Sequence, residues 1–428
     1  MTDVTVDPDH AMKLREQAVD ALIADGTITS PQVEVVLRKV PRHLFVPEAS
    51  LEQAYSPYNA VITKRDKYGI DMSSVSAPQI QAMMLQQAEI GPGMKVVEVG
   101  SGGLNAAYLA ELVGEAGEVV SVDIDPEVVA RARHLLAANG YPQVKVVLGD
   151  ADEGFRAHLS SEADAILVTA GAWDISWAWF EQLAEGGRLV VPLRMRGLTR
   201  SVALRRVGGH LVSSSALICG FVPMQGVAAH QERLLLVRGT DEIGLRFDDG
   251  LPADPSLLDN AVTTPRTEIW TGVEVGRTEP IDTLQLYLAT LLPGFCIMAV
   301  DAELDTGLVA PNNRSFALAA VEGGNFAYLT TRRTPDDKSV EYGVHAFGPA
   351  GPAFADTVRE HVRAWAREHR GGPGPHIAVY PAGTPDDQLP GGRVIDKKDS
   401  RITISWPPAA TAAEDQVAQH HSTDGTGE

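Results

Sequence analysis

The run Val96-Val97-Glu98-Val99-Gly100-Ser101-Gly102-Gly103 joins a short apolar stretch to a cluster of glycines. At a strand-to-helix junction, such glycines let the backbone turn tightly and let a ligand approach closely. Two acidic elements follow. Asp123 and Ile124 lie in VVSVDIDP, and Gly149-Asp150-Ala151 closes a later apolar run. Asp123 stands about twenty residues past the glycines, where an acid can accept both hydroxyls of a ribose. All three elements end predicted strands, at the edge where open α/β sheets take their ligands.

The dinucleotide fingerprint G-x-G-x-x-G fails, because Asn105 occupies the third glycine position. Glu98, two residues ahead of Gly100, fits S-adenosyl-L-methionine instead. That cofactor carries no phosphate to cradle, and carboxylates suit its amino group and sulfonium. No recognisable Ser/His/Asp motif, CxxC pair or HExxH accompanies the cluster. A carboxylate acceptor needs none of these, being ionised at neutral pH with a pKa of about 4. It can attack a methyl sulfonium once the two are aligned and desolvated. Amine or hydroxyl acceptors more often require a base. The pattern therefore leans towards carboxyl methylation.

The elements that must position these residues alternate. Helical spacing over residues 10–40 predicts two helices, the second begun by Ser30-Pro31 and ended by Pro41, before the compact segment PRHLFVP (41–47). Strands are expected at Lys95–Val99, Glu118–Val122, Val144–Leu148, Ala165–Thr169 and Arg188–Pro192, with helices at 80–88, 106–113, 127–139 and 180–183. Strands and helices in alternation predict an α/β, Rossmann-like doubly wound fold with a mostly parallel sheet. Residues 201–222 predict an antiparallel hairpin at its edge. Beyond about residue 232 the texture changes to strands at 267–275, 315–321, 326–332, 340–346, 376–380 and 401–406 with helices at 283–292 and 354–369, an α+β domain. The expected organisation is a helical and active-site segment (1–80), a cofactor-binding domain (81–232), an accessory domain (233–409) and a disordered tail (410–428).

The composition, 44% hydrophobic and 21% charged, is that of an ordinary globular chain, and the net charge of −20 repels phosphate. A nucleic-acid partner and an anionic membrane surface are disfavoured. The N-terminus lacks the basic and apolar regions of a signal peptide, and no apolar run is long enough to cross a membrane, so a cytoplasmic protein is expected. Cys219 and Cys296 cannot build a disulfide framework or a four-cysteine metal site, and His345, His376, His420 and His421 lack ligand spacing, so no metal is expected. Trp270, Trp365 and Trp406 are expected in the core.

From Ala11 to Met224 the chain resembles the protein-L-isoaspartate O-methyltransferases. The resemblance rests on PRHLFVP (41–47), SVSAPQI (74–80), LVGEAGEVVSVDIDPEVVARAR (112–133), GYPQVKVVLGDA (140–151), DAILVTAGA (164–172), GGRLVVPL (186–193) and FVPM (221–224), in that order. It implies a class I methyltransferase fold using S-adenosyl-L-methionine. It assigns Ser76 to the active site, beside the substrate carboxylate, as a hydrogen-bond donor to the acceptor oxygen. It assigns Glu98, Gly100, Ser101, Gly102, Asn105, Asp123, Ile124, Asp150 and Ala151 to the cofactor. Val75, Ser76, Gln79 and Gln225 would contact the substrate.

Three departures concern the acceptor side. GSGGLN (100–105) replaces the family's G-x-G-S-G-Y, Gln79 stands where His is common, and residues 58–74 lack a short glycine-rich approach to the serine. The chain also runs on for roughly two hundred residues past FVPM. The whole resembles the branch that methylates an Asp side chain of a ribosomally made lanthipeptide, lasso peptide or ester-linked cyclic peptide (graspetide). The product of that branch is a succinimide or isoaspartate. Repair of isoaspartate in damaged proteins, and peptide binding without turnover, are the competing readings. The sequence leaves the oligomeric state open.

Overall fold

The computed structural model describes residues 7–407. The tail expected to be disordered, 410–428, lies outside the described residues, as do His420 and His421. Helix α1 (Pro8–Ala24) is followed by α2 (Pro31–Lys39), whose first turn is capped as expected by Ser30, with Pro31 next. A short α3 (Leu51–Ala54) leads into an antiparallel hairpin of β1 (Val61–Arg65) and β2 (Asp71–Val75). That hairpin is absent from the sequence reading.

The alternating region follows: α4 (Pro78–Ala88), β3 (Lys95–Val99), α5 (Leu104–Val113), β4 (Glu118–Asp123), α6 (Pro126–Ala138), β5 (Lys145–Leu148), β6 (Ala163–Val168), α7 (Trp177–Gln182) and β7 (Leu183–Met195). β3, β4, β5, β6 and β7 pair in parallel, and β8 (Leu198–Val207) and β9 (His210–Ile218) add the expected antiparallel hairpin. Strand alternation divides the side chains of β3. Val97 and Val99 enter the core shared with α7, whereas Val96 packs against α4, α5 and α6. Glu98 falls on the Val96 face and is fully buried there.

The second sheet holds β10 (Arg233–Leu236), β11 (Ile243–Phe247) and β12 (Thr267–Gly276). After α8 (Asp282–Leu291), β13 (Phe295–Val300), β14 (Ala317–Glu322), β15 (Asn325–Arg333) and β16 (Ser339–Phe347) complete its seven strands. Helix α9 (Gly351–Glu368) packs across β12, β15 and β16. The last strands, β17 (His376–Pro381), β18 (Arg393–Asp396) and β19 (Ser400–Ser405), depart from the expected 233–409 unit. β17 pairs with β9, so these strands return to the first sheet and extend it to ten. The hairpin β8–β9 ends the block built from residues 95–218, but it is not the rim of the whole sheet. One hydrophobic core runs continuously from β3, β4 and β6 through α8 and α9 into the second sheet. Trp365 is fully buried in it, and Trp406 packs against it.

Candidate active site

The carboxyl ends of β3 and β4 carry the glycine turn and Asp123 side by side. Gly100 has φ +98°, and a Cβ there would overlap Thr169 Oγ1. The position therefore requires glycine on both conformational and steric grounds. Thr169 Oγ1 in turn lies 3.0 Å from the carbonyls of Val99 and Gly100, so it stitches β6 to the turn. Gly103, with φ +82°, begins α5 without a side-chain cap.

Asp123 Oδ2 accepts the Ser101 N–H at 2.8 Å, and Oδ1 accepts the Asp125 N–H at 2.9 Å. Burial pushes its carboxyl above the usual range. Glu98 Oε2 accepts a short hydrogen bond from Ser121 Oγ, which lies 2.9 Å from Ser101 Oγ. Desolvation raises the Glu98 carboxyl to about 7, against the opposing effect of the Ser121 hydrogen bond. Asp150 Oδ1 accepts the Asp152 N–H at 3.0 Å and Oδ2 the Val227 N–H at 2.9 Å. A Cβ on Gly226 would overlap Asp150 Oδ2 and crowd Ile124, so the 225–227 segment lies directly on these two residues.

These residues wall one groove. Gly100, Ser101, Gly102, Asp123, Ile124, Asp150, Ala151 and Gln225 all line it. An inner cavity adjoins it through Ser74, Gly102 and Thr169, which line both; its other walls include Val75, Ser76, Glu98 and Asn105. Gln79 does not join them. It lines a separate groove with Met83, Gln86 and Ser215 on the other side of α4, because the first helical turn rotates it away from the serine segment.

Several site residues escaped the sequence reading. Met72, Ser73 and Ser74 of β2 wall the groove, and Lys64 of β1 pairs with Asp125 at 2.7 Å and Glu127 at 2.8 Å. The hairpin is thereby tied to the start of α6. Arg42, buried within the PRHLFVP segment, donates to Ala54 O at 2.6 Å, Gln81 Oε1 at 2.6 Å and Val75 O at 3.3 Å. It thus fixes the carbonyl just before Ser76. A lone buried-looking arginine beside a compact turn is the signal that could have found it.

The donor set suits S-adenosyl-L-methionine. Glu98 and Asn105 are buried side by side, and the Asn105 side chain favours the Glu98 carboxylate. Acidic groups at three strand ends would suit a cationic, phosphate-free molecule.

Comparison with known proteins decides the family. Residues 13–229 match the family Protein-L-isoaspartate(D-aspartate) O-methyltransferase (PCMT), half of the chain. The chain belongs to this family. It is an S-adenosyl-L-methionine-dependent carboxyl O-methyltransferase. Protein-L-isoaspartate O-methyltransferase 2 of Archaeoglobus fulgidus is 37% identical over 198 residues, 46% of this chain and 86% of its own length. The protein-L-isoaspartate O-methyltransferase of Methanopyrus kandleri is 36% identical over 232 residues, 51% of this chain and 95% of its own. A solved structure described as a protein-L-isoaspartate O-methyltransferase aligns with 92% of this chain and 100% of its own at 18% identity, with a TM-score of 0.49. The PCMT match ends at residue 229, so the second sheet and β17 to β19 lie beyond it. Among the described residues no helix is long and apolar enough to cross a membrane.

Proposed function

We propose that this PCMT-family enzyme methylates an Asp side-chain carboxylate of a ribosomally made, macrocyclic peptide. In this reading Glu98, Gly100 to Gly102, Asn105, Asp123, Ile124, Asp150 and Ala151 hold the cofactor. When bound, S-adenosyl-L-methionine supplies an electrophilic methyl group. Val75, Ser76 and Gln225 meet the peptide, and Ser76 donates a hydrogen bond that orients the acceptor oxygen. The acceptor carboxylate is already ionised, so no general base is required. In the esterified peptide the next backbone nitrogen attacks the ester carbonyl and loses its proton, methanol leaves, and a succinimide closes. Hydrolysis of that ring gives aspartate or isoaspartate.

The observation that carries the dedicated-peptide reading is the extension. It supplies three strands to the sheet of the catalytic half and shares its core. We assign residues 233–407 to substrate recognition and buttressing. Repair of isoaspartyl residues in damaged proteins is the second reading, favoured by the relatives that match residues 13–229. Intact-mass analysis with S-adenosyl-L-methionine separates the two. Methyl gain followed by methanol loss on an Asp-containing macrocyclic peptide alone supports the first. Methylation of a generic short isoaspartyl peptide returns the enzyme to repair. Deleting residues 235–428 is expected to impair peptide methylation; a folded truncation with an unchanged rate rejects the recognition role.

A further inference from the structure

Lys397 lies in the turn between β18 and β19, far beyond the PCMT match, and is only 8% exposed. Its Nζ donates to Arg194 O at 2.6 Å and, in a shorter bond, to Trp173 O, and it sits 4.7 Å from the Trp173 ring centroid. Two neighbours hold the next residue of the same loop. Asp399 N–H donates to Asp174 Oδ2 at 2.6 Å, and Ser400 Oγ donates to Asp174 Oδ1. The turn 397–400 therefore grips residues 173 and 174 by three hydrogen bonds.

The gripped loop begins at the site. Thr169 and Ala170 line the cofactor groove, and Gly171 exchanges backbone hydrogen bonds with the 222–224 segment, which lines it too. Gly171 N–H donates to Val222 O at 2.8 Å, and Met224 N–H donates to Gly171 O at 2.9 Å. Trp173 is stacked on His230 at 4.1 Å with 5° between the rings, which ties the far end of the 222–230 segment to the same loop. Loop 169–174 and segment 222–230 thus form one bracket around the groove, and Lys397 closes it from behind.

The charges around the ammonium fit this role. Burial pushes its pKa down to about 8; Asp248, Asp174 and Asp249 oppose that, and Arg194 adds to it. Arg194 Nε lies 2.7 Å from the fully buried Asp248 carboxylate, Arg196 Nε lies 3.3 Å from Asp249 Oδ2, and His230 Nε2 lies 3.0 Å from Asp248 O. A buried ammonium with three donors can serve two carbonyls and balance nearby carboxylates at once. An apolar side chain leaves the carbonyls without donors and removes the positive charge beside the acids.

We propose that Lys397 is a positioning residue for methyl transfer, by which the C-terminal extension fixes the bracket of residues 169–174 and 222–230 along the groove. The proposal rests on the reading above that this wall meets the peptide. It explains why an added domain returns three strands to the first sheet: the turn that carries the lysine has to be delivered behind the active centre.

The test compares wild type, Lys397→Met and Lys397→Gln as full chains. Amide hydrogen exchange at Gly171 and Met224, relative to Val97 and Val120 in the central sheet, reports the bracket without any substrate. S-adenosyl-L-homocysteine binding reports the cofactor side. Methyl transfer is followed on the isoaspartyl and macrocyclic Asp peptides.

In Lys397→Met, Gly171 and Met224 are expected to exchange faster while Val97 and Val120 do not. Cofactor-product affinity should fall less than turnover, since Val227 touches Asp150 while Asp123 stays anchored to the glycine turn. Turnover should fall by about 100-fold, the effect of a small misplacement of reacting groups. Lys397→Gln, which keeps two N–H donors, should recover part of both losses. Unchanged exchange at Gly171 and Met224 in Lys397→Met overturns the proposal. If that variant does not fold, the glutamine variant decides: exchange and turnover must move together, and a loosened bracket with wild-type turnover rejects the role. Failure of wild type on both peptides rejects the assigned acceptor instead, leaving exchange to judge the bracket.

Discussion

The Asp123 carboxylate accepts the backbone N–H of Ser101 at 2.8 Å, so the acid at the end of β4 and the glycine turn at the end of β3 are held as one unit. Its other oxygen is held by Asp125 N–H at 2.9 Å. The carboxylate is thereby preorganised, while each oxygen keeps further acceptor capacity for a ribose. Asp123→Ala should weaken S-adenosyl-L-homocysteine binding by about 10- to 100-fold, because hydrogen bonds to charged groups contribute about 1.5–3 kcal/mol. Titration calorimetry measures it, and wild-type affinity in the alanine variant removes Asp123 from the cofactor site.

Glu98 gives the site a pH dependence. Burial raises its carboxyl to about 7, against about 4.3 in an unfolded chain. The folded protein therefore holds a proton that the unfolded chain releases. The associated stabilisation is full below about pH 4.3 and is lost as pH rises through about 7. A cationic ligand group nearby favours the carboxylate. S-adenosyl-L-methionine affinity should then increase with pH up to about 7 and level above it, with proton release on binding below that point. Glu98→Gln should flatten the profile. A pH series of binding isotherms checks this, and an identical slope in wild type and variant would sink the assignment.

Ser76 lines the inner cavity with Glu98 and Asn105. If it orients the acceptor oxygen, Ser76→Ala should leave cofactor-product affinity unchanged. Turnover should fall by about 10- to 100-fold, the value of one hydrogen bond to a charged group. Separate measurement of cofactor affinity, peptide KM and kcat distinguishes this from loss of ground-state binding. A variant with normal kcat would leave Ser76 as a turn residue only.

The strands that carry this chemistry were legible because they are buried on both faces. Ala165–Val168 is a continuous apolar run and Val96–Val99 is broken only by Glu98; their strand length, rather than helix length, and their β-branched content mark them as buried strands. The hairpin 61–75 was not legible. Its residues are largely half-exposed, and it is held by Thr63–Ser73 and Lys64–Asp125 contacts that no periodicity announces. HIAVY was recognisable as a strand, but not as a strand of the first sheet. Its partner, Ala378 against Val212, is set by long-range pairing, and local pattern does not name a partner strand so distant in sequence. Gln79 was misplaced for a related reason. The family segment gives sequence proximity to Ser76, whereas the turn of α4 decides which way each side chain points.

Arg42 shows how a segment expected only to pack can hold the site. Its guanidinium is buried and reaches Ala54 O, Gln81 Oε1 and Val75 O, joining α3, α4 and the residue before Ser76. Arg42→Met keeps much of the aliphatic bulk and removes every donor. Two buried carbonyls and one amide oxygen then lose their partner, at about 1–3 kcal/mol each. The variant should lose about 3 kcal/mol or more of unfolding free energy in urea titration. Arg42→Lys should recover only part of it, since one ammonium cannot reproduce the planar fork that spans three acceptors. In the folded fraction, peptide turnover should fall more than S-adenosyl-L-homocysteine affinity, because Val75 and Ser76 lie on the acceptor side. Equal losses in both would make Arg42 a support for the whole fold rather than for the serine segment.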